Sequence, residues 1–206
     1  MKRKIFVALL HAPIVNRHGK EVVTAVTNLD IHDIARSCKT YGIARYFIVN
    51  PEEEQERLVH AIVGHWHGEV SKVHHPSRAQ ALELVQYART FREAFNEAGR
   101  FSRLENPQAL NPFVVMPDAK PLEGAWSYAE LRRQCVEGRL SEADDGTQPL
   151  MIVFGTGWGI SPAFYPEVHR FLKPLRASAV TSNATRYNHL SVRAAAAIVL
   201  DRLFGE

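Results

Sequence analysis

Cysteine is nearly absent from this chain. Cys38 and Cys135 are the only two in 206 residues, and they stand far apart without the spacing of a metal-binding pair. A disulfide framework is therefore not expected, and a reducing cytoplasm is the expected setting. Long apolar runs are missing as well, since none approaches the ~20 residues that a membrane helix needs. The N-terminal MKRKIFVALLHAP has a basic start and a short apolar run. Ile5 to Leu10 is too short for a secretory core, however, and no small-residue cleavage site follows, so the segment reads as a buried first strand. No internal repeat or low-complexity linker interrupts the chain. Neither sign of charge dominates: 25 Lys and Arg against 22 Asp and Glu leave +3 with histidine neutral. That balance suits an RNA partner and many metabolic enzymes equally.

What is present is an ordinary globular composition, 46% hydrophobic and 23% charged. The length suits a single domain over residues 1–206, with room for an insertion at about 117–147. Apolar runs alternate with amphipathic stretches. KIFVALL (4–10), RYFIVNP (45–51), VSKVHH (70–75), NPFVVMP (111–117) and PLMIVF (149–154) read as strands. DIHDIARSCKTYG places Ile31, Ile34, Ala35 and Cys38 at helical spacing with Gly42 as its stop. PEEEQERLVHAIVGHW opens with acids against the positive end of a helix dipole. A long helix from Ser77 to about Asn96, a capping box at Ser127–Glu130, a helix from Pro162 to Leu172 and a strong closing helix in HLSVRAAAAIVLDRLF complete the reading. Such alternation predicts an α/β fold: a mainly parallel sheet with helices on both faces.

One stretch calls for explanation. The strand Leu150 to Phe154 empties into GTGWG, and glycine weakens a fold unless an unusual dihedral or a close approach requires it. The spacing is G-x-G-x-G, so the dinucleotide fingerprint G-x-G-x-x-G is not matched, and no Gly-Lys-Ser/Thr marks a phosphate loop. On the glycines alone, a tight turn and a ligand loop at a strand end are equally good readings. The histidines of HWH (65–67) and HH (74–75) lack any carboxylate-histidine signature, and no metal is expected.

Three segments taken together carry a resemblance. TNLDIHDIARSCKTYGIARYFIVNP (27–51) resembles the first motif of SpoU-type proteins, with Asp30 to His32 at an Asn-x-Gly turn, then Arg36, Gly42 and Asn50-Pro51. IVFGTGWGI resembles their Phe-Gly-rich loop, and NHLSVRAAAAIVL (188–200) resembles their Leu-Asn-Val-Ser turn before an alanine-rich helix. In this order they resemble the SPOUT superfamily of knotted RNA methyltransferases, in its SpoU-like branch and near a small bacterial subgroup of predicted members. The resemblance implies a deep trefoil knot at the C-terminus, S-adenosyl-L-methionine as cofactor, tRNA or rRNA as partner, and a homodimer with the site at its interface. It places the cofactor against Val115, Met116 and Pro117, against Phe154, Gly155, Thr156, Gly157, Trp158 and Gly159, and against Leu175 with Tyr187, Asn188 and Leu190. It makes Arg36, His189 and Ser191 the catalytic candidates, and Asn28, Asp30 and Arg36 the substrate contacts.

Arg36 suits phosphate or target-group recognition through its planar fork, and without the motif it would pass as a surface arginine. His189 suits proton movement near neutral pH, while Ser191 serves equally as the cap of the last helix. Trp158 suits stacking or packing alike. The loop lacks the Glu usual in the branch and His189 replaces an Asn, which leaves a ribose 2'-oxygen and a base nitrogen both open as acceptor. Two other readings stand beside this one: a nucleotide-dependent enzyme on a flavodoxin-like sheet, and a knotted RNA-binding protein without transfer activity.

Overall fold

The computed structural model describes residues 3–136, 138–177 and 188–206. Its frame is a six-stranded sheet in which every pairing is parallel. β1 (Ile5–Leu10) lies at its centre between β4 (Arg45–Val49) and β7 (Leu150–Gly155), with β5 (Val85–Ala88) outside β4, and β6 (Phe113–Pro117) then β8 (Arg170–Leu172) outside β7. Leu9 sets the register, opposite Ile48 on one side and Phe154 on the other. The strands read as unbroken apolar runs because both faces of the sheet are covered.

One face packs against α1 (Asn28–Thr40), α2 (Glu53–His67), α4 (Pro76–Leu82), α6 (Tyr128–Val136) and α7 (Val192–Phe204); the core there includes Ile34, Leu82, Leu131, Ile152 and Leu200. The other face packs against α5 (Phe91–Glu105) and the antiparallel hairpin of β2 (Ile14–Val15) and β3 (Glu21–Val22), through Phe6, Phe47, Ala94, Met116 and Ile14. The hairpin turn is held by Asn16, whose side-chain oxygen accepts from the His18 and Lys20 amides at 2.8 and 3.1 Å.

The expected helix stops and starts are in place. α1 ends with the Gly42 amide on the Lys39 carbonyl and the Ile43 amide on the Cys38 carbonyl, a Schellman closure with Gly42 at φ 70°. Ser127 and Glu130 form the capping box of α6: the Ser127 amide donates to Glu130 Oε2 at 2.6 Å, and the Glu130 amide donates to Ser127 Oγ at 3.2 Å. Segment 118–149 contributes Leu131 and Leu140 to the common core and buries Asp144 against Arg3 at 3.0 Å. Trp126 also bridges to Leu172 of β8.

Three expectations fail. VSKVHH is not a strand: Val70 to His74 fall in α3 (Glu69–His74), a short helix in contact with α4. The long helix from Ser77 is instead α4, β5 and α5. The Thr90–Glu93 spacing starts a new helix, with the Glu93 amide on Thr90 Oγ1 at 3.2 Å, and the edge of β4 offers pairing to Val85–Ala88. Pro162 to Leu172 is a 3-10 turn over Pro162–Glu167 followed by β8. Pro166 brings no amide hydrogen, and β6 takes up Arg170–Leu172.

Candidate functional site

The carboxyl ends of the central strands meet in a polar knot of side chains. His11, directly after β1, is fully buried. Its Nδ1 stands 3.0 Å from Thr24 Oγ1, which lies 2.6 Å from Thr156 Oγ1, and Thr156 donates to the Leu10 carbonyl at 3.2 Å. Thr24 Oγ1 also lies 3.4 Å from the His11 carbonyl, so the imidazole and the two hydroxyls form one hydrogen-bonded cluster. Burial holds the His11 pKa down at about 4, against a smaller upward pull from Asp30. Asn50, at the end of β4, donates to the Thr24 carbonyl at 3.0 Å and accepts from the Glu52 amide at 2.9 Å. The Asn-Pro strand end thus anchors the chain that leads into α1.

The glycine loop has its own structural requirements. Gly157 and Gly159 have φ of 57° and 107°, values that side-chain-bearing residues rarely adopt. A Cβ on Gly155 would stand 2.5 Å from Ile160 Cγ1, and one on Gly157 would stand 3.0 Å from Ile14 Cγ2. The β2 strand lies directly against the loop: Val15 donates to the Gly159 carbonyl at 2.9 Å, and the Trp158 amide donates to Val15 at 3.3 Å. Gly159 faces open space, and Trp158 is 65% exposed. Two of the three glycines therefore answer to the protein's own packing. What the loop offers a ligand is main chain, Gly159 and Trp158.

The first turns of α1 and α7 are joined. Asp30 is buried, accepts a hydrogen bond from Thr27 Oγ1 at 2.6 Å, and pairs with Arg193 Nη1 at 2.9 Å; Arg193 Nε also reaches Asp33 at 3.4 Å. Ser191 caps α7 by accepting from the Ala194 amide at 3.2 Å. Asn188 donates to the Ala119 carbonyl at 3.1 Å, which ties the start of α7 to the chain leaving Pro117. Leu175 packs half-buried on the core, Val115 and Met116 are buried within β6, and His189 and Leu190 are exposed. Tyr187 lies outside the described residues. The second half of α1 carries Arg36 along an open cleft of about 560 Å³ shared with α2 and α4. Among the described residues, no cluster of His, Cys, Asp and Glu is fit to hold a metal ion, and no helix is long and apolar enough to cross a membrane.

Residues 4–205 match a family described as SAM-dependent RNA methyltransferase. The chain belongs to that family. A tRNA (guanine-N(1)-)-methyltransferase of Oleidesulfovibrio alaskensis is 34% identical over 204 residues, 99% of this chain and 43% of that protein. A protein of Aquifex aeolicus is 33% identical over 99% of this chain and 90% of its own length. The chain thus spans less than half of the first relative and nearly all of the second. A probable methyltransferase from Bordetella pertussis Tohama I shares the fold with TM-score 0.56 at 17% identity, covering 98% of this chain and 92% of that one. The SpoU methyltransferase AviRb from Streptomyces viridochromogenes, solved in complex with AdoMet, gives 0.53 at 14% identity, covering 99% and 58%.

Within this methyltransferase fold the structure joins Asp30 to Arg193 in the first turn of α7, the helix that Ser191 caps, and sets Asn28 on the cleft that Arg36 also lines. It sets the glycine loop against His11, Thr24 and the β2–β3 hairpin, and it leaves Arg36 further along α1. Of Pro117, residues 155–159 and residues 188–191, the exposed positions are Gly157, Trp158, His189, Leu190 and Ser191, so the segments present main chain with few large side chains. Sequence reasoning missed two residues here. Arg193 sits in the quoted third motif, but its partner lies 163 positions away. His11 follows the first strand, and only the fold reveals that it meets Thr24 and Thr156.

Proposed function

We propose that the protein methylates a nucleotide of tRNA or rRNA, in the cytoplasm, as a homodimer whose C-terminal part forms the deep trefoil knot of SPOUT proteins. The chain is taken as one catalytic unit, with 117–147 as an elaboration built into it. The observation that carries the reading is the Asp30–Arg193 pair at 2.9 Å, which clamps the motif of α1 to the loop that opens α7 beside the ends of β6 and β7. S-adenosylmethionine, when bound, supplies a methyl group on a sulfonium that leaves as a neutral thioether once an RNA oxygen or nitrogen attacks.

The chain's own residues then divide the work. Pro117, residues 155–159 and the main chain of Asn188 and Leu190 hold the donor. Arg36 grips a phosphate or the target group and stabilises the charge that develops as the acceptor loses its proton. His189, exposed just ahead of α7, receives that proton, and Ser191, by capping α7, fixes the loop that carries His189. Leu190, 48% exposed just ahead of α7, gives the dimer an apolar contact next to the site. The guanine-N1 activity named for the Oleidesulfovibrio relative belongs to a protein of which this chain matches 43%, and the acceptor atom is left to experiment.

Purified protein incubated with S-adenosylmethionine and separate tRNA and rRNA pools, followed by nucleoside mass spectrometry, names the RNA and the atom. Arg36→Ala should lower the rate about 100-fold. An undiminished rate would remove Arg36 from catalysis, and no methylated nucleoside in either pool would contradict the function.

A further inference from the structure

The cleft beside Arg36 has a composition that the transfer step alone does not explain. Its centre is Trp66 of α2, whose ring is held edge-on by His32 at 5.5 Å and His65 at 5.4 Å between centroids. Arg78 of α4 lays its guanidinium over that ring, 4.8 Å from the centroid. Leu29 supplies an apolar wall, and Arg36 stands on the same cleft from α1. Among the described residues neither Arg36 nor Arg78 has a carboxylate within salt-bridge distance, while the cleft's Asp33 is engaged by Arg193. His32 Nδ1 is buried without a hydrogen-bond partner among the described residues. Burial, reinforced by the Arg78 charge, lowers the pKa of that ring and favours its neutral form, which can accept a hydrogen bond.

We infer that this cleft binds an unpaired nucleotide of the RNA substrate, its base on the Trp66–Arg78 platform and its phosphate between Arg78 and Arg36. A guanidinium plane laid over an indole ring forms a stack that a splayed-out base can continue, and two arginines without acid partners among the described residues match a backbone phosphate. The volume, about 560 Å³, is that of a pocket for a small ligand. A second copy of the chain is a poorer occupant, because an isologous contact must complement itself and this patch would meet its own positive charge. The inference rests on the reading of the protein as an RNA methyltransferase and adds to it a subsite built from α2 and α4.

The test is fluorescence anisotropy with a labelled, unstructured RNA 12-mer over a salt series, with S-adenosylmethionine affinity measured by calorimetry on the same samples. Arg78→Gln should weaken RNA binding and reduce the slope of log K against log salt by about 0.7, one phosphate contact to a single strand. Trp66→Ala should weaken binding about tenfold with little change in slope, and Trp66→Phe should restore most of it. Cofactor affinity should stay at the wild-type value in all three. Wild-type RNA affinity and slope in Arg78→Gln and Trp66→Ala would overturn the subsite while leaving the methyltransferase reading intact. Wild-type protein that takes up neither RNA nor cofactor would overturn both. A Trp66→Ala protein that becomes monomeric by light scattering, with Arg78→Gln unchanged in RNA affinity, would assign the cleft to the contact between copies and overturn the inference.

Discussion

His11 is an imidazole held neutral at the end of the central strand, and the cost of charging it appears in the stability of the whole protein. Its pKa is about 4 in the folded chain against 6.5 as the ordinary value. The unfolded chain therefore binds more protons between those values, so stability is complete above pH 6.5 and falls as the pH drops toward 4. A shift of that size is worth roughly 3 kcal/mol. Urea unfolding at pH 7.5 and pH 5 should show about 2 kcal/mol of that loss in the wild type, since pH 5 lies partway down the window, and a smaller loss in His11→Gln, with His32 and His169, both shifted down by burial, accounting for part of the remainder. Equal losses in the two proteins would show that His11 does not set the slope. At this scale the sequence was partly legible. Arg36, Asp30 and Ser191 could be placed on a motif, but the motif says nothing of what Asp30 touches. Its carboxylate is taken by Thr27 and Arg193, so its first duty is to join two helices.

Among the elements, those with a strong local signature were the ones readable in advance. β1, β4, β6 and β7 are short apolar runs closed by turn residues, α1 has its Gly42 stop, and α6 and α7 have Ser127 and Ser191 as caps. β5 was hidden because Val85–Ala88 sits between two helical stretches and becomes a strand only by pairing with β4. β8 was hidden by its length of three residues and by its dependence on β6. The loop after β7 was recognised as unusual, yet its glycines are explained first by the hairpin that packs on it. Gly157→Ala tests that account: a positive φ together with a 3.0 Å approach to Ile14 should cost about 1–2 kcal/mol of stability. Thermal unfolding unchanged from wild type would mean that the hairpin does not constrain the loop.

For the molecule as a whole, an all-parallel sheet with β1 between β4 and β7 gathers three distant parts of the sequence at one edge: the turn before α1, the loop after β7 and the turn before α7. This is why an ordered set of individually weak motifs pointed to the right family, whose match spans residues 4–205. The same edge exposes Leu190 where a subunit contact is proposed. Multi-angle light scattering should accordingly give twice the chain mass of 23.2 kDa, and a monomer at assay concentrations would contradict a site shared between subunits. The claim on which the rest depends is that this edge holds S-adenosylmethionine through main chain. Titration calorimetry of the intact protein with S-adenosylmethionine tests it most directly. The account predicts saturable binding of one molecule per chain, and the absence of any binding at millimolar ligand would contradict it.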